Sequence, residues 1–202
     1  NSSSDNRGHV RIFKHNGTAW TQLGADIDGE APGDQSGSSV SLSADGTKVA
    51  IGANVNDGNG SAAGHVRIYN YNGTAWTQLG ADIDGEAAGD LSGVSVSLSA
   101  DGTKVAIGAY QNDGTASNAG HVRIYNYNGT AWTQLGADID GEANGDLSGY
   151  SVSLSSDGTK VAIGAYNNDG GPGSNAGHVR IYKYTPSGTA SWTQLGADID
   201  GE

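Results

Sequence analysis

The sequence predicts an all-β fold, a β-propeller of four-stranded antiparallel blades with about 56 residues in each repeat. Three observations predict it. The pentapeptide GHVRI begins at Gly8, Gly64, Gly120 and Gly177, and TQLGADIDGE follows each copy. Versions of SVSLSADGTKVAIGA lie between the copies. Within these phrases apolar and polar residues alternate, which is the period of a half-buried strand.

The first hairpin of each unit is predicted over Ser95–Ala109 and its equivalents. Apolar residues alternate with serine before Asp101-Gly102 and with Lys, Ala and Gly after it. An Asp-Gly pair between alternating strands is a strong signal for a tight hairpin turn. This hairpin supplies the two inner strands of a blade, named a and b.

The second hairpin is predicted from His121 to Ile139, with its turn at Asn128-Gly129. It supplies strands c and d, and strand d is expected to run unbroken with Leu135 and Ile139 on one face. In the fourth copy a longer segment, Thr185-Pro186-Ser187-Gly188, replaces the turn. Hairpin tips tolerate such insertions.

The repeats predict a half blade followed by three full blades, as one propeller or part of a larger one. Their predicted bounds are 1–30 for the half blade and 37–86, 93–142 and 149–202 for the blades. A half blade leaves a bare strand edge, which predicts self-association with another segment. The chain has no initiator Met, so we expect it to be a piece of a longer protein.

The charge and composition narrow the range of partners. A net charge of −12 argues against nucleic acid and against binding an anionic membrane surface. No apolar run approaches the length of a membrane span, so no membrane insertion is expected. The absence of Cys excludes disulfides and thiolate metal sites. Acidic, Gly-rich chains of this kind are associated with an extracellular or cell-surface location.

The segment from Ser92 to Asp113, followed by GHVRIY, resembles the FG-GAP repeat, the blade unit of integrin-α-type propellers. The resemblance is closest in VAIGA and covers nearly all of the chain. It implies a propeller fold, an extracellular setting, and adhesion or ligand binding on the loops of one face. Ser92-Gly93 stands where the family has Phe-Gly. The calcium loop of the family is reduced here to Ala100–Thr103, which has one carboxylate.

Acidic residues that surround the Gly after strand d suggest a calcium site on the connection to the next blade, since calcium prefers oxygen ligands. The alternative is a solvated acidic loop that keeps strand edges from pairing. Calcium is therefore a candidate cofactor, and the alternative is that the protein has no cofactor. The candidate ligands are Asp82, Asp84, Glu86, Asp90, Asp138, Asp140, Glu142 and Asp146.

Two further groups are candidates for binding a protein or glycan ligand. The first is an aromatic pair in each outer hairpin, which either stacks on a sugar or anchors the two strands. The second is a polar pair in the loop after strand b, which either contacts a ligand or closes a turn. They are Trp76, Trp132, Tyr71 and Tyr127, and Asn112, Asp113, Asn168 and Asp169.

Histidine opens strand c in every copy, at His9, His65, His121 and His178. Because no second histidine lies at metal-ligand spacing, a structural role is favoured. No motif for a nucleophile, a phosphate loop or a metalloprotease is present, and near-identical copies argue against an asymmetric catalytic centre. The sequence thus predicts a non-enzymatic adhesion or ligand-binding module. A structural building block of a stalk or filament and a propeller lectin are the alternatives.

Overall fold

The structure is a computed structural model that describes residues 5–170, 174–186 and 191–202. These residues form nineteen strands joined by turns, and no helix is assigned among them. Accordingly, this part of the chain has no helix long and apolar enough to span a membrane. The longer turn predicted at 185–188 lies partly outside the described residues.

The chain opens with two short hairpin ladders that form the predicted half blade. In the first ladder His9 pairs with Asp28, and in the second His15 pairs with Trp20. Among residues 5–170, 174–186 and 191–202 no strand b lies beside these ladders, and the pairing of this edge with another copy stays a prediction. The four strands are β1 (His9–Val10), β2 (Phe13–His15), β3 (Trp20–Gln22) and β4 (Ile27–Asp28).

Three five-stranded antiparallel sheets follow, and each has the order a, b, c and then the two pieces of d. The first comprises β5 (Ser39–Leu42), β6 (Lys48–Ala53), β7 (His65–Tyr71), β8 (Trp76–Gln78) and β9 (Ile83–Asp84). The second comprises β10 (Ser95–Leu98), β11 (Lys104–Ala109), β12 (His121–Tyr127), β13 (Trp132–Gln134) and β14 (Ile139–Asp140). The third comprises β15 (Ser151–Leu154), β16 (Lys160–Ala165), β17 (His178–Thr185), β18 (Ser191–Gln194) and β19 (Ile199–Asp200). We call them the first, second and third full blades.

The blades stack face to face with their a strands side by side. Ser41 Oγ accepts a hydrogen bond from the Leu98 amide at 2.9 Å, and Ser97 Oγ accepts one from Leu154 at the same distance. Each contact therefore links the a strand of one blade to that of the next. The buried faces between blades are filled by aliphatic residues such as Ile68, Ile107 and Ile124, which are at most 1% exposed. Apolar burial between blades is thus the main source of stability.

Strand d is interrupted, contrary to the unbroken strand that the sequence predicts. Between β8 and β9 the chain bends at Gly80, which has a φ of 80°. A Cβ at Gly80 would lie 2.9 Å from Cδ1 of Trp132 in the next blade. The indole of Trp132 donates to the Leu79 carbonyl at 2.7 Å. The bend therefore makes room for the aromatic ring that locks adjacent blades together.

A hydrogen-bonded aspartate in the turn between strands a and b should make the fold less stable in acid. In the first full blade Asp45 accepts hydrogen bonds from the Ser43 hydroxyl at 2.7 Å and the Thr47 amide at 2.9 Å. These bonds lower the pKa of Asp45 from 3.8 to about 2. A carboxyl with a lowered pKa stabilises the fold above its unfolded pKa, and this contribution disappears as the pH falls through the folded value. We expect the melting temperature to fall between about pH 4 and pH 2 for this reason.

The measurement is thermal unfolding followed by circular dichroism across that pH range. The triple variant Asp45→Asn, Asp101→Asn, Asp157→Asn removes the carboxylate from all three equivalent turns. Its melting temperature should be lower than that of the natural chain at pH 6 and should change less with acid. Parallel curves for the two proteins would show that these turns do not cause the acid sensitivity.

Candidate functional site

Each boundary between blades brings together three side chains that we call a junction cluster. The glutamate comes from the end of one unit, the histidine from strand c of the next unit, and the aspartate from the bend between the two pieces of strand d in that next unit. In the second of them, His121 Nδ1 lies 3.8 Å from Glu86 Oε2 and 3.8 Å from Asp138 Oδ2. The three clusters are Glu30–His65–Asp82, Glu86–His121–Asp138 and Glu142–His178–Asp198.

The strand register explains why these groups meet. His121 opens β12, and its main chain pairs with Asp140 on β14. Asp138 lies two residues earlier than Asp140, so strand alternation places its side chain on the same face. Glu86 follows β9 of the preceding blade. Each cluster therefore forms only when two units stack, because its three residues come from two different repeats.

An arginine lies beside every cluster. Arg123 donates to the Asp84 carbonyl of the preceding blade at 2.7 Å, and its guanidinium lies 3.4 Å from Glu86 Oε1. The same guanidinium stacks over the Tyr125 ring at 5.6 Å from the ring centroid. Arg67 and Arg180 repeat this arrangement. The guanidinium thus engages one glutamate oxygen and leaves the other facing the imidazole.

Burial controls the protonation of the imidazoles. Burial lowers the pKa of His121 from 6.5 to about 4, and the neighbouring Arg123 lowers it further against the opposing charge of Asp138. Burial also lowers the pKa of His65. The neutral forms of His65 and His121 are therefore favoured at pH 7, and a neutral imidazole has a lone pair for a metal ion or a proton. Burial raises the pKa of Glu86.

The eight predicted calcium ligands are not gathered into one site by the loop that contains them. Asp82 and Glu86, four residues apart, belong to different junction clusters. Asp90 is buried, and its Oδ2 accepts hydrogen bonds from the Ala87 amide and the Asn112 side chain. Asp84 contributes its carbonyl to Arg123, and Asp140 does the same for Arg180. Asp82 and Glu86 therefore contact separate partners through their carboxylates, and Asp84 contacts Arg123 through its carbonyl.

The second predicted calcium loop is arranged in the same way. Asp138 joins the cluster of His121, whereas Glu142 joins that of His178. Asp146 Oδ2 accepts from the Ala143 amide at 2.9 Å and from the Asn168 side chain at 3.0 Å. Asp146 is thus a buried link between two loops.

The predicted ligand residues of the loop after strand b make internal contacts. Asn112 and Asn168 are buried and donate to carboxylates in the connection that precedes their own blade, Asp90 and Asp146. Asp113 accepts from the Asn118 amide at 2.7 Å. Asp169 accepts from the Asn175 amide at 2.6 Å. These contacts agree with the turn-closing alternative.

The predicted aromatic pairs lie on the outer hairpins. The rings of Tyr127 and Trp132 have centroids 5.2 Å apart, and those of Tyr71 and Trp76 are 5.1 Å apart. The Trp76 indole donates to the Leu23 carbonyl of the preceding unit at 2.8 Å. Each tryptophan therefore has an anchoring contact to a neighbouring blade, and its binding to a ligand stays a prediction.

A groove of about 420 Å³ lies on the outer face of the third full blade. Tyr150 and Tyr166 border it with exposed rings 4.6 Å apart, and His178 and Asp200 also line it. In the second blade the following blade covers the equivalent face, where Ile139 is 5% exposed, whereas Ile199 in the groove is 57% exposed. The groove therefore lies on the face that corresponds to the covered face of the second full blade.

The tyrosines break the symmetry of the repeats, which the sequence analysis missed. Tyr150 replaces Val94 of the preceding blade, and Tyr166 and Tyr110 replace Asn54. Tyr110 and Tyr150 come from adjacent blades and pack edge to face at 5.5 Å. Comparison of the copies position by position, outside the near-identical phrases, would have found them. The junction clusters were missed because their members lie on separate strands.

No model of a known protein family matches the chain, and no curated protein matches its sequence. Similar solved structures exist. One is a "putative 6-phosphogluconolactonase" from Bacteroides uniformis, with 12% identity and a TM-score of 0.66 over 99% of this chain and 50% of that chain. Another protein of the same description, from Bacteroides fragilis, has 13% identity and a TM-score of 0.64 over 96% of this chain and 49% of that chain.

These comparisons contradict the prediction of a non-enzymatic adhesion or ligand-binding module and favour neither alternative, the structural building block or the lectin. Both similar proteins are named after an enzyme of sugar metabolism. Position by position the copies are less alike than that prediction assumed, because Tyr150 stands where the other full blades have Ser38 and Val94.

The similar structures confirm the fold. The chain spans about half the length of each of them, and the alignment covers nearly all of its own residues. At these identities the likeness concerns architecture. The chain has a propeller-like fold of repeated four-stranded antiparallel blades, as the sequence predicts.

Proposed function

We propose that this chain is part of a propeller hydrolase that opens a sugar-derived lactone in the groove of the third full blade. The observation that carries the proposal is the groove itself, which two exposed tyrosines border and which Asp200 lines. The names of the two similar structures supply the reaction class. Since the chain spans half of those proteins, the activity of a longer protein belongs to the same proposal.

The groove has the groups that such a reaction needs. Tyr150 and Tyr166 offer aromatic faces to the apolar C–H surface of a sugar ring and hydroxyls to its oxygens. The exposed carboxylate of Asp200 accepts a proton from a water that attacks the lactone carbonyl carbon. The ring C–O bond then breaks, and the proton passes from Asp200 to the ring oxygen. The product is an open-chain hydroxy acid.

The charge of the groove selects among lactones. None of its lining residues is Lys or Arg in the part of the chain that the structure describes. The net charge of the chain is −12, which repels a phosphate further. An uncharged sugar lactone therefore suits this groove better than a phosphorylated one.

The test is hydrolysis of gluconolactone by the 202-residue chain, followed as acid release above the spontaneous rate. We expect Asp200→Asn to lower kcat by about 100-fold or more, which is the usual contribution of a general base. Tyr166→Ala should raise KM more than it lowers kcat, because it removes a binding surface. The phosphorylated lactone should react more slowly than the uncharged one.

Asp84→Asn is the matched control, because Asp84 is the equivalent of Asp200 in the first full blade and lies outside the groove. It should leave the rate unchanged. No hydrolysis above background, or equal losses from Asp84→Asn and Asp200→Asn, would refute the proposal.

The finer family assignment, to FG-GAP repeats, is also part of this proposal. We infer it from the phrase VAIGA, which lies on strand b of each full blade. The similar structures do not bear that name, so the assignment is supported by sequence resemblance. An extracellular location stays a prediction on the same basis.

A further inference from the structure

We propose that each junction cluster binds one divalent transition-metal ion, zinc by preference, between its glutamate, histidine and aspartate. Its third cluster shares His178 with the lining of the proposed groove, but the inference rests on the clusters alone and its test needs no lactone. The three proposed sites among the described residues are Glu30–His65–Asp82, Glu86–His121–Asp138 and Glu142–His178–Asp198.

The first argument is convergence. One ligand atom from each residue lies within 4.8 Å of the other two in all three clusters. From Nδ1 of histidine to the carboxylate oxygens the distances are 3.7 and 3.9 Å at His65 and 3.6 and 3.8 Å at His178. These are too long for hydrogen bonds. Two ligands about 2.1 Å from a shared ion lie about 3.4 Å apart at a tetrahedral angle, so small carboxylate rotations suffice.

The second argument is an imidazole without a partner. His178 is 5% exposed, and neither of its ring nitrogens has a hydrogen-bond partner among the described residues. Its Nδ1 is nonetheless aimed at the oxygens of Glu142 and Asp198. Buried polar atoms are nearly always satisfied, so an atom in this position calls for a missing partner. A metal ion between the three groups provides one for Nδ1.

The donor set selects the ion. Calcium and magnesium prefer oxygen ligands, whereas an imidazole with two carboxylates suits zinc and its neighbours in the first transition row. Each cluster has one buried nitrogen donor and two partly exposed oxygen donors, with Glu86 at 44% and Asp138 at 30%. The ion would therefore be reached from solvent and would keep open positions for water.

The adjacent arginine is compatible with such an ion. In the second cluster the guanidinium of Arg123 is nearest to Glu86 Oε1, at 3.4 Å, whereas Oε2 faces His121. One carboxylate can hold a cation at each oxygen. The two negative charges of Glu86 and Asp138 balance the divalent ion, and the arginine orients the glutamate from behind.

The ends of the chain supply internal controls. His9 and Asp26 occupy the positions of His121 and Asp138, but no preceding blade in this chain gives them a glutamate. Glu202 occupies the position of Glu86, and no following blade in this chain gives it a histidine. A metal ion that needs all three ligands should therefore not bind at either of these two positions.

The experiment is a calorimetric titration of the chelator-treated, dialysed 202-residue chain with zinc chloride. We expect three zinc ions for each chain. Glu86→Gln, an isosteric change at a partly exposed side chain, should lower the number to two. The triple variant Glu30→Gln, Glu86→Gln, Glu142→Gln should bind none at comparable affinity. Glu202→Gln, the matched control, should still bind three.

Two more readouts separate binding at the clusters from binding elsewhere. Cobalt(II) in place of zinc should give visible absorption bands whose intensity falls by a third in Glu86→Gln. Millimolar calcium should not displace the cobalt. Circular dichroism of each variant shows whether it is folded.

Several outcomes would overturn the inference: a natural chain that binds fewer than three ions, a triple variant that still binds three, or displacement by calcium. A chain that binds three zinc ions but opens no lactone would support this inference and refute the proposed reaction. Lactone hydrolysis by a chain that binds no zinc would refute this inference and support the proposed reaction.

Discussion

Replacing Gly108 with alanine is expected to cause one of the largest losses of stability available in this chain. A Cβ at Gly108 would lie 1.9 Å from the Gly149 carbonyl oxygen of the next blade. No rotamer relieves a contact between a Cβ and a main-chain atom, so the second and third full blades must separate. Forcing extra atoms into a packed interior typically costs 1–3 kcal/mol and sometimes more, and we expect about 3 kcal/mol here. Urea unfolding followed by tryptophan fluorescence measures the loss.

Gly164→Ala is the control, because Gly164 is the same position in the third full blade. There the nearest atom to the added Cβ is the Ser151 hydroxyl at 2.4 Å, and no carbonyl of a following blade is present. A hydroxyl can rotate away, so the expected loss is below about 1 kcal/mol. Equal losses for the two variants would show that the clash is not what makes Gly108 necessary.

The parts of the fold that were predicted from sequence are those encoded by short segments. Asp101-Gly102 and Asn128-Gly129 set tight turns, and alternation on either side sets the strands. Blade order follows from repetition, because a sheet with two apolar faces must be covered by its neighbours. The bend at Gly80 was missed, since its cause is a tryptophan of another blade.

The site was less predictable because it depends on contacts between blades. Glu86 and His121 are far apart in sequence, and they meet only when two blades stack. The sequence placed Asp82 and Glu86 in one calcium loop, whereas the structure aims them at histidines of different blades. The groove depends on two tyrosines that differ from copy to copy. Treating the copies as one average repeat conceals both the contacts between blades and the differences between copies.

Replacing Trp132 with alanine should cost nearly as much stability as the change at Gly108. The Trp132 ring packs against the apolar core between the first and second full blades, and its indole donates to the Leu79 carbonyl at 2.7 Å. Removing a core aromatic residue costs 3–5 kcal/mol, and for this partly buried ring we expect about 2–3 kcal/mol. Trp132→Phe should lose about 1 kcal/mol, the value of one hydrogen bond, with most of the packing kept.

Trp20→Ala distinguishes this anchoring role from a role in binding a ligand. Trp20 opens the equivalent strand of the first unit, where no preceding blade in this chain covers it, and it is 69% exposed. Its removal should change the free energy of unfolding by less than about 0.5 kcal/mol. Since both tryptophans have the same local sequence, a large difference in urea midpoints isolates the contact between blades. Equal and small effects would contradict the anchoring role and favour the other alternative, in which Trp132 binds a ligand.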